Sequence, residues 1–274
     1  LYHADGLTMQ AVLDGADQGS FANYPDSSGL IRDWDTSKIL ADGQADAVLE
    51  MSITNLETAQ PALDYCHTAL DKGKHLILAN KGPAALAFHD LKQKAQSKNL
   101  HFRYEATVMA GTPTLQLALE ALAGCTIHSA SGIMNGTTNF ILTQMEQGMD
   151  YDTALAKAQE LGYAEADPSG DVEGWDAAGK VLILAQALFG VSLKMSDLDV
   201  SGITQISAQD VKNAQEKGER WKLIAKATPK GGAVKAVRLP ISNPLAGVGG
   251  STNAVTLSTD LMGDMASSAV ARMV

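Results

Sequence analysis

Cysteine is scarce in this chain: Cys66 and Cys125 stand alone among 274 residues, with no CxxC and no histidine cluster beside either. Two isolated thiols build neither a disulfide framework nor a zinc site, so a reducing cytoplasm is the expected compartment. Basic residues are also in deficit, 21 against 31 acidic ones, for a formal net charge of −10. With no basic run to neutralise phosphates, no nucleic acid and no membrane surface is expected as partner, and a small molecule is the better candidate. No apolar run reaches the roughly 18 residues that a membrane span needs. The opening LYHADGLTMQ lacks the basic start and apolar middle of a secretory signal, and a soluble protein is expected. Catalytic signatures are missing too. HExxH is absent and the six histidines lie in no ligand spacing, which argues against metal hydrolysis; no GxSxG elbow supports a serine nucleophile. Nor does any GxGxxG follow a strand and open a helix. GVGGST at 247–252 comes closest, but its glycines are wrongly spaced and strand-like NAVTLST follows. The chain is therefore expected to start inside its first domain.

What is present reads as α/β. ADAVLEMS (45–52) and HLILAN (75–80) are short apolar runs bounded by polar turns, the pattern of buried parallel strands. Between them Ala59, Leu63, Cys66 and Leu70 recur at helical spacing, and Gly73 is placed to end that helix. A further helix over AALAFHDLKQKAQSKN and an alternating strand over 100–108 extend this β-α-β unit into a doubly wound sheet, where ligands sit at the carboxyl ends of strands. The middle changes character: an amphipathic helix in TPTLQLALEALAG, a strand in CTIHSASGIM, a helix capped by Asn135 or Thr137, and another capped near Asp150 or Asp152 and ended by Gly162. More helix, then strands such as AVKAVRLP, follow.

The densest chemistry lies in LGYAEADPSGDVEGWDAAGKV, where Glu165, Asp167, Asp171, Glu173 and Asp176 precede Lys180. Pro168 bars helix through the loop and the next helix is expected to begin near Asp171. Acidic side chains at a helix start are favoured by capping and the macrodipole, which by itself accounts for Asp171 and Glu173. Asp176 and Lys180 are spaced i, i+4, the geometry of a helical ion pair that is commonly a weak surface contact. The apolar run Val181–Leu184 right behind them instead points to a charged pair lining a cleft. In LILANKG, Lys81 falls just past a buried strand, at a ligand-bearing edge of the sheet or simply in solvent. YEATVMAGTP ends a strand with Glu105 and then small residues, read either as tight packing at a domain crossover or as a loop of carbonyls converging on a monovalent cation.

Taken together, LILANKGP, YEATVMAGTP, SGIMNGTTNFIL, LGYAEADPSGDVEGWDAAGKV and NPLAGVGGSTNAVTLSTDLMGDM resemble homoserine dehydrogenase, collinearly to about residue 265. The resemblance is to the short form, without fused kinase or C-terminal regulatory domain. It implies an oxidoreductase that interconverts L-homoserine and L-aspartate 4-semialdehyde with NAD or NADP. It also implies an incomplete Rossmann-like nucleotide-binding domain over 1–108, to which 250–274 returns, and an α+β substrate and dimerisation domain over 109–249, assembled as a homodimer. Lys180 matches the family's proton donor, joined by Lys81; Glu165, Asp176 and Asp171 match its substrate side; Lys81, Gly162, Glu165 and Ser52 match positions toward the cofactor. The backbone carbonyls of Glu105, Val108, Ala110 and Thr112 fall where the family binds sodium. The missing glycine-rich turn after STDLMGDM leads to the expectation of a segment omitted between Met265 and Ala266. A non-catalytic amino-acid-binding relative and a sister dehydrogenase of another small amino acid are the alternatives.

Overall fold

The computed structural model of the chain describes residues 1–270. Two short helices, α1 (Met9–Asp17) and α2 (Thr36–Asp42), precede the first sheet. That sheet is parallel, in the order β1 (Ala47–Glu50), β2 (His75–Leu78), β3 (Phe102–Arg103). Its connections are α3 (Ala62–Asp71), which closes at Gly73 with φ +73, and the pair α4 (Lys81–Leu86) and α5 (Phe88–Ser97). Left-handed backbone at the residue after a helix is what glycine tolerates best, so the predicted stop is where it was read. The predicted strand over 100–108 is not: β3 ends at Arg103, and Ala106–Met109 forms a helical turn, α6, with Thr107 bonding back to the Tyr104 carbonyl. Alternation over nine residues had no partner strand long enough to hold it.

The second sheet has six strands in the order β5-β7-β6-β4-β8-β9. They are β4 (Ile127–Ile133), β5 (Asp199–Val200), β6 (Glu219–Thr228), β7 (Gly231–Pro240), β8 (Thr252–Thr259) and β9 (Gly263–Val270). All neighbours are antiparallel except β5 with β7. Two sequence expectations fail here. Residues 252–270 do not return to the first half; they form a hairpin that β4 takes into the six-stranded sheet, because Ala130, Gly132 and Ile133 find their register against Leu257, Val255 and Ala254. The ladder also runs unbroken through Met265 and Ala266, which pair with Leu257 and Thr256, so the expected omission between them is not met. Residues 271–274 lie outside the described residues.

Helices pack the second sheet. After the short turn α7 (Thr114–Gln116) and a π-helical turn at Leu117–Ala121, which replace the single helix expected there, come α8 (Gly136–Glu146) and α9 (Tyr151–Glu160). Asn135 and Asp150, not Thr137 or Asp152, cap them by accepting the Thr138 and Thr153 amides. The acidic loop contains a one-turn helix, α10 (Ser169–Val172). Gly174 at φ +94 then breaks the chain before α11 (Trp175–Phe189), so the continuous helix expected from near Asp171 is two pieces. From Val181 to Ala185 every residue of α11 is buried, as befits a helix apolar on all sides. It is the strut of the molecule, crossing β6 and β7 on one side and α4 on the other. Helix α12 (Ala208–Glu216) covers β6 farther along. Among the described residues no helix is long and apolar enough to cross a membrane.

Candidate active site

A cleft of about 960 Å³ opens where the two halves meet, with Ile53, Thr54 and Lys81 on one wall and Asn135, Asp176 and Lys180 on the other. Local sequence sets each wall. Asn80 accepts the Gly82 amide at 2.9 Å and so starts α4, leaving Lys81 as its first residue at the carboxyl end of β2. Gly174 starts α11 afresh, which puts Asp176 in its first turn and Lys180 one turn on. The walls are locked together along α11. Gln186 donates to the carbonyls of Ala85 and Ala84 at the end of α4, and Gly179 lets Leu56 approach so closely that a Cβ there would meet its methyl carbons at 3.0 Å.

Asp176 is the hub. One carboxylate oxygen takes Lys180 Nζ at 2.7 Å and Asn135 Nδ2 at 3.1 Å; the other faces Lys81 Nζ at 3.3 Å. The three charged side chains are 20%, 12% and 24% exposed for Asp176, Lys180 and Lys81, sheltered yet open to the cleft. Burial works against the Asp176 charge, but the Lys180 and Lys81 ammoniums outweigh it and hold the carboxyl below the usual carboxylate range. Asp171 goes the other way: burial first, then the Asp176 charge, raise its pKa, even though Asn135 Nδ2 donates to it at 2.6 Å. Lys180 spends a second N–H on the Met134 carbonyl at 2.5 Å. An ammonium has three donors, so one remains for a ligand.

Of the positions expected from sequence, the structure brings Lys180, Lys81, Asp176 and Asp171 together around Asn135, and sets Glu165, exposed, on the same cleft. Gly162, at φ +75 just past α9, and Ser52 do not line it. Val108 and Ala110 do, while Glu105 and Thr112 do not; the Glu105 side chain, apart from its backbone carbonyl, accepts the amides of Leu115 and Gln116 at 2.8 and 2.9 Å. Among the described residues no group of three His, Cys, Asp or Glu side chains could hold a metal. Sequence reading credited Asn135 with a cap alone. Its second task, joining Asp171 to Asp176, spans 36 and 41 residues and leaves no local signal.

A parallel β-α-β half set against a mixed sheet, with two lysines meeting one carboxylate between them, defines an α/β enzyme acting on a small charged molecule. The family model of homoserine dehydrogenase matches residues 113–270. The NAD(+)-dependent homoserine dehydrogenase of Pseudomonas canavaninivorans is 41% identical over 94% of this chain and 77% of its own length, and the homoserine dehydrogenase of Methanocaldococcus jannaschii 38% identical over 94% and 76%. The solved structure of a hyperthermophilic archaeal homoserine dehydrogenase in complex with NADPH superposes with a TM-score of 0.81 at 27% identity, covering 96% of this chain and 76% of that one. The chain belongs to the homoserine dehydrogenase family.

Proposed function

We infer that the cleft interconverts L-homoserine and L-aspartate 4-semialdehyde with NAD or NADP, and that Lys180 moves the proton. The observation that carries this reading is the convergence of Lys180 and Lys81 on Asp176 in an open cleft between the halves. A nicotinamide bound at this cleft would supply or accept the hydride. In the reductive direction the free N–H of Lys180 donates to the oxygen that develops charge; in the oxidative direction the neutral amine takes the hydroxyl proton. Asp176 keeps the lysine aimed, and Lys81 places a second positive charge beside the same oxygen. Glu165 and Asp176, the latter joined to Asp171 through Asn135, meet the substrate ammonium.

The first half, 1–108, is the nucleotide side of this reading. Ile53, Thr54 and Lys81, at the carboxyl ends of β1 and β2, fit the inner end of a dinucleotide, and Ser52 and Gly162 remain as outer positions toward it. The parallel sheet supports this: Leu49 and Ile77 lie 56% and 38% exposed, an open face that a parallel sheet ordinarily has covered. A homodimer through the second half is supported by the small cluster of Ile133, Leu245 and Ala254, with Ile224, Leu239 and Val248 only partly buried over it. A sodium ion on the carbonyls of Glu105, Val108, Ala110 and Thr112 rests on the family resemblance; the Thr112 carbonyl already accepts the Thr114 amide at 2.7 Å, and no catalytic step passes through the ion. The two free thiols fit a reducing cytoplasm.

Absorbance at the nicotinamide band, with homoserine and NAD or NADP in turn, tests the reading. Turnover with either is the expected result and selects the cofactor. Silence with both, while homoserine still binds, would return the chain to a non-catalytic amino-acid binder.

A further inference from the structure

Lys81 needs more guidance than its own side chain receives. Its ammonium meets the Asp176 carboxylate at 3.3 Å, a looser contact than the 2.7 Å of Lys180, and the two partners stand on different halves of the molecule. Its aim is therefore set by where the backbone at the start of α4 is held. That start lies against the loop that follows β1: a Cβ on Gly82 would lie 2.6 Å from the Asn55 carbonyl, and the Lys81 amide donates to the Thr54 hydroxyl at 3.4 Å.

The loop is braced at both ends. Glu50 accepts the Ser52 amide at 3.0 Å, and the Asn55 side chain accepts the amides of Glu57 and Thr58, both at 2.9 Å. Within it Leu56 packs against Gly179 of α11, the helix that carries Asp176 and Lys180. A firm link from this loop to Lys81 thus sets Lys81 in register with the other two charges.

Asn80 is that link. It is 2% exposed, and its side chain is used at both ends. The oxygen accepts the Gly82 amide at 2.9 Å and caps α4; the nitrogen reaches back to the Ile53 carbonyl at 3.3 Å and the Ser52 hydroxyl at 3.4 Å. The orientation of the amide is fixed by these partners, because a backbone N–H can only donate and a carbonyl can only accept. Capping by itself would be served as well by serine or aspartate. The amide caps the helix and holds the loop at once.

We propose that Asn80 is a positioning residue for the reaction: by clasping the 52–54 loop to α4 it holds Lys81 beside Asp176, and its effect on turnover passes through Lys81. The proposal rests on the reading of Lys81 as a charge beside the reacting oxygen. Asn80 does not itself line the cleft.

The test is a double-mutant cycle on kcat, followed on the full chain at the nicotinamide band with saturating homoserine and dinucleotide. Asn80→Ser keeps a cap but no longer reaches the loop. Asn80→Asp keeps the cap and the shape, loses both donors, and serves if the smaller residue unsettles the fold. Either is expected to lower kcat on the order of 10-fold, short of the roughly 10²-fold that a 1 Å misplacement can cost. In a Lys81→Met background the same change should cost less than about 2-fold, since the group it aims is gone. Equal fold losses in both backgrounds, or no loss beside an intact Lys81, overturn the proposal while the enzyme reading stands. Unchanged kcat in Lys81→Met overturns the role of Lys81 and the proposal with it. A wild type silent with both dinucleotides overturns the reading of the cleft as well.

Discussion

Asp176 and Glu146 are both carboxylates held between two basic side chains, and their pKa values move in opposite directions. Asp176 has Lys180 at 2.7 Å, Lys81 at 3.3 Å and a third donor in Asn135, and its carboxyl is held below the usual range. Glu146 has Arg220 at 3.4 Å and Lys222 at 3.6 Å, one oxygen buried without a hydrogen bond, and burial pushes its carboxyl up despite both cations. A closer ammonium and two hydrogen bonds, from Lys180 and Asn135, separate the two outcomes. Where contact is close and a third donor is present, the charge persists and can hold lysines in place for a substrate. Where contact is loose and water is shut out, desolvation wins, and the group serves to anchor α8 against β6.

The comparison breaks most readily on activity. Lys180→Ala is expected to lower turnover about 10²–10⁴-fold, the usual worth of a positioned acid or base. If Lys222→Met produced the same loss without unfolding, the two clusters would not differ in kind. The expected cost of Lys222→Met is instead in stability. Stripping one partner from a buried pair costs about 3 kcal/mol, on the order of 10 °C in Tm for a chain this size, read by thermal melts. Adding Glu146→Leu should recover most of it, since neither charge is then left alone.

A finer effect concerns Asp171, whose folded pKa lies above its unfolded value. Its ionised form is therefore disfavoured in the folded state. The resulting penalty is absent below the unfolded value near pH ~3.9 and builds as pH rises through the folded one. Asp171→Asn should accordingly melt higher than wild type at pH 7, with the difference closing as the pH falls below about 4. A constant difference across that range would mean that burial does not govern this carboxyl. Asp176 has the opposite sign: its contribution is complete above the unfolded value and is lost only as pH falls through a folded value lower still.

Much of this was legible locally. The i, i+4 spacing of Asp176 and Lys180, the position of Lys81 after a strand, the caps at Asn135 and Asp150, and the stops at Gly73 and Gly162 all rest on interactions within a turn or two. The misreadings share a cause as well. Residues 100–108 alternate as a strand would, yet an alternating segment becomes a strand only where a partner lies beside it. Whether 252–270 joined the first sheet or the second depended on which edge was open, and β4 offered it. Asn80 showed in sequence only the chemistry of a cap, because the meaning of a buried amide depends on what its far end touches.

From sequence alone, then, came the periodicities and turn residues that build each element, the acidic balance that favours a small molecule, and the quoted segments that mark the family. These depend on spacing along the chain, and spacing is written in the sequence. Only the tertiary structure decided that Lys81 reaches a carboxylate 95 positions away, that Asn135 joins two aspartates, and that Lys222 lies under α8 rather than in water. Such contacts are set by how α11 packs against both halves at once, and their energies come from distance and burial, which no local pattern encodes.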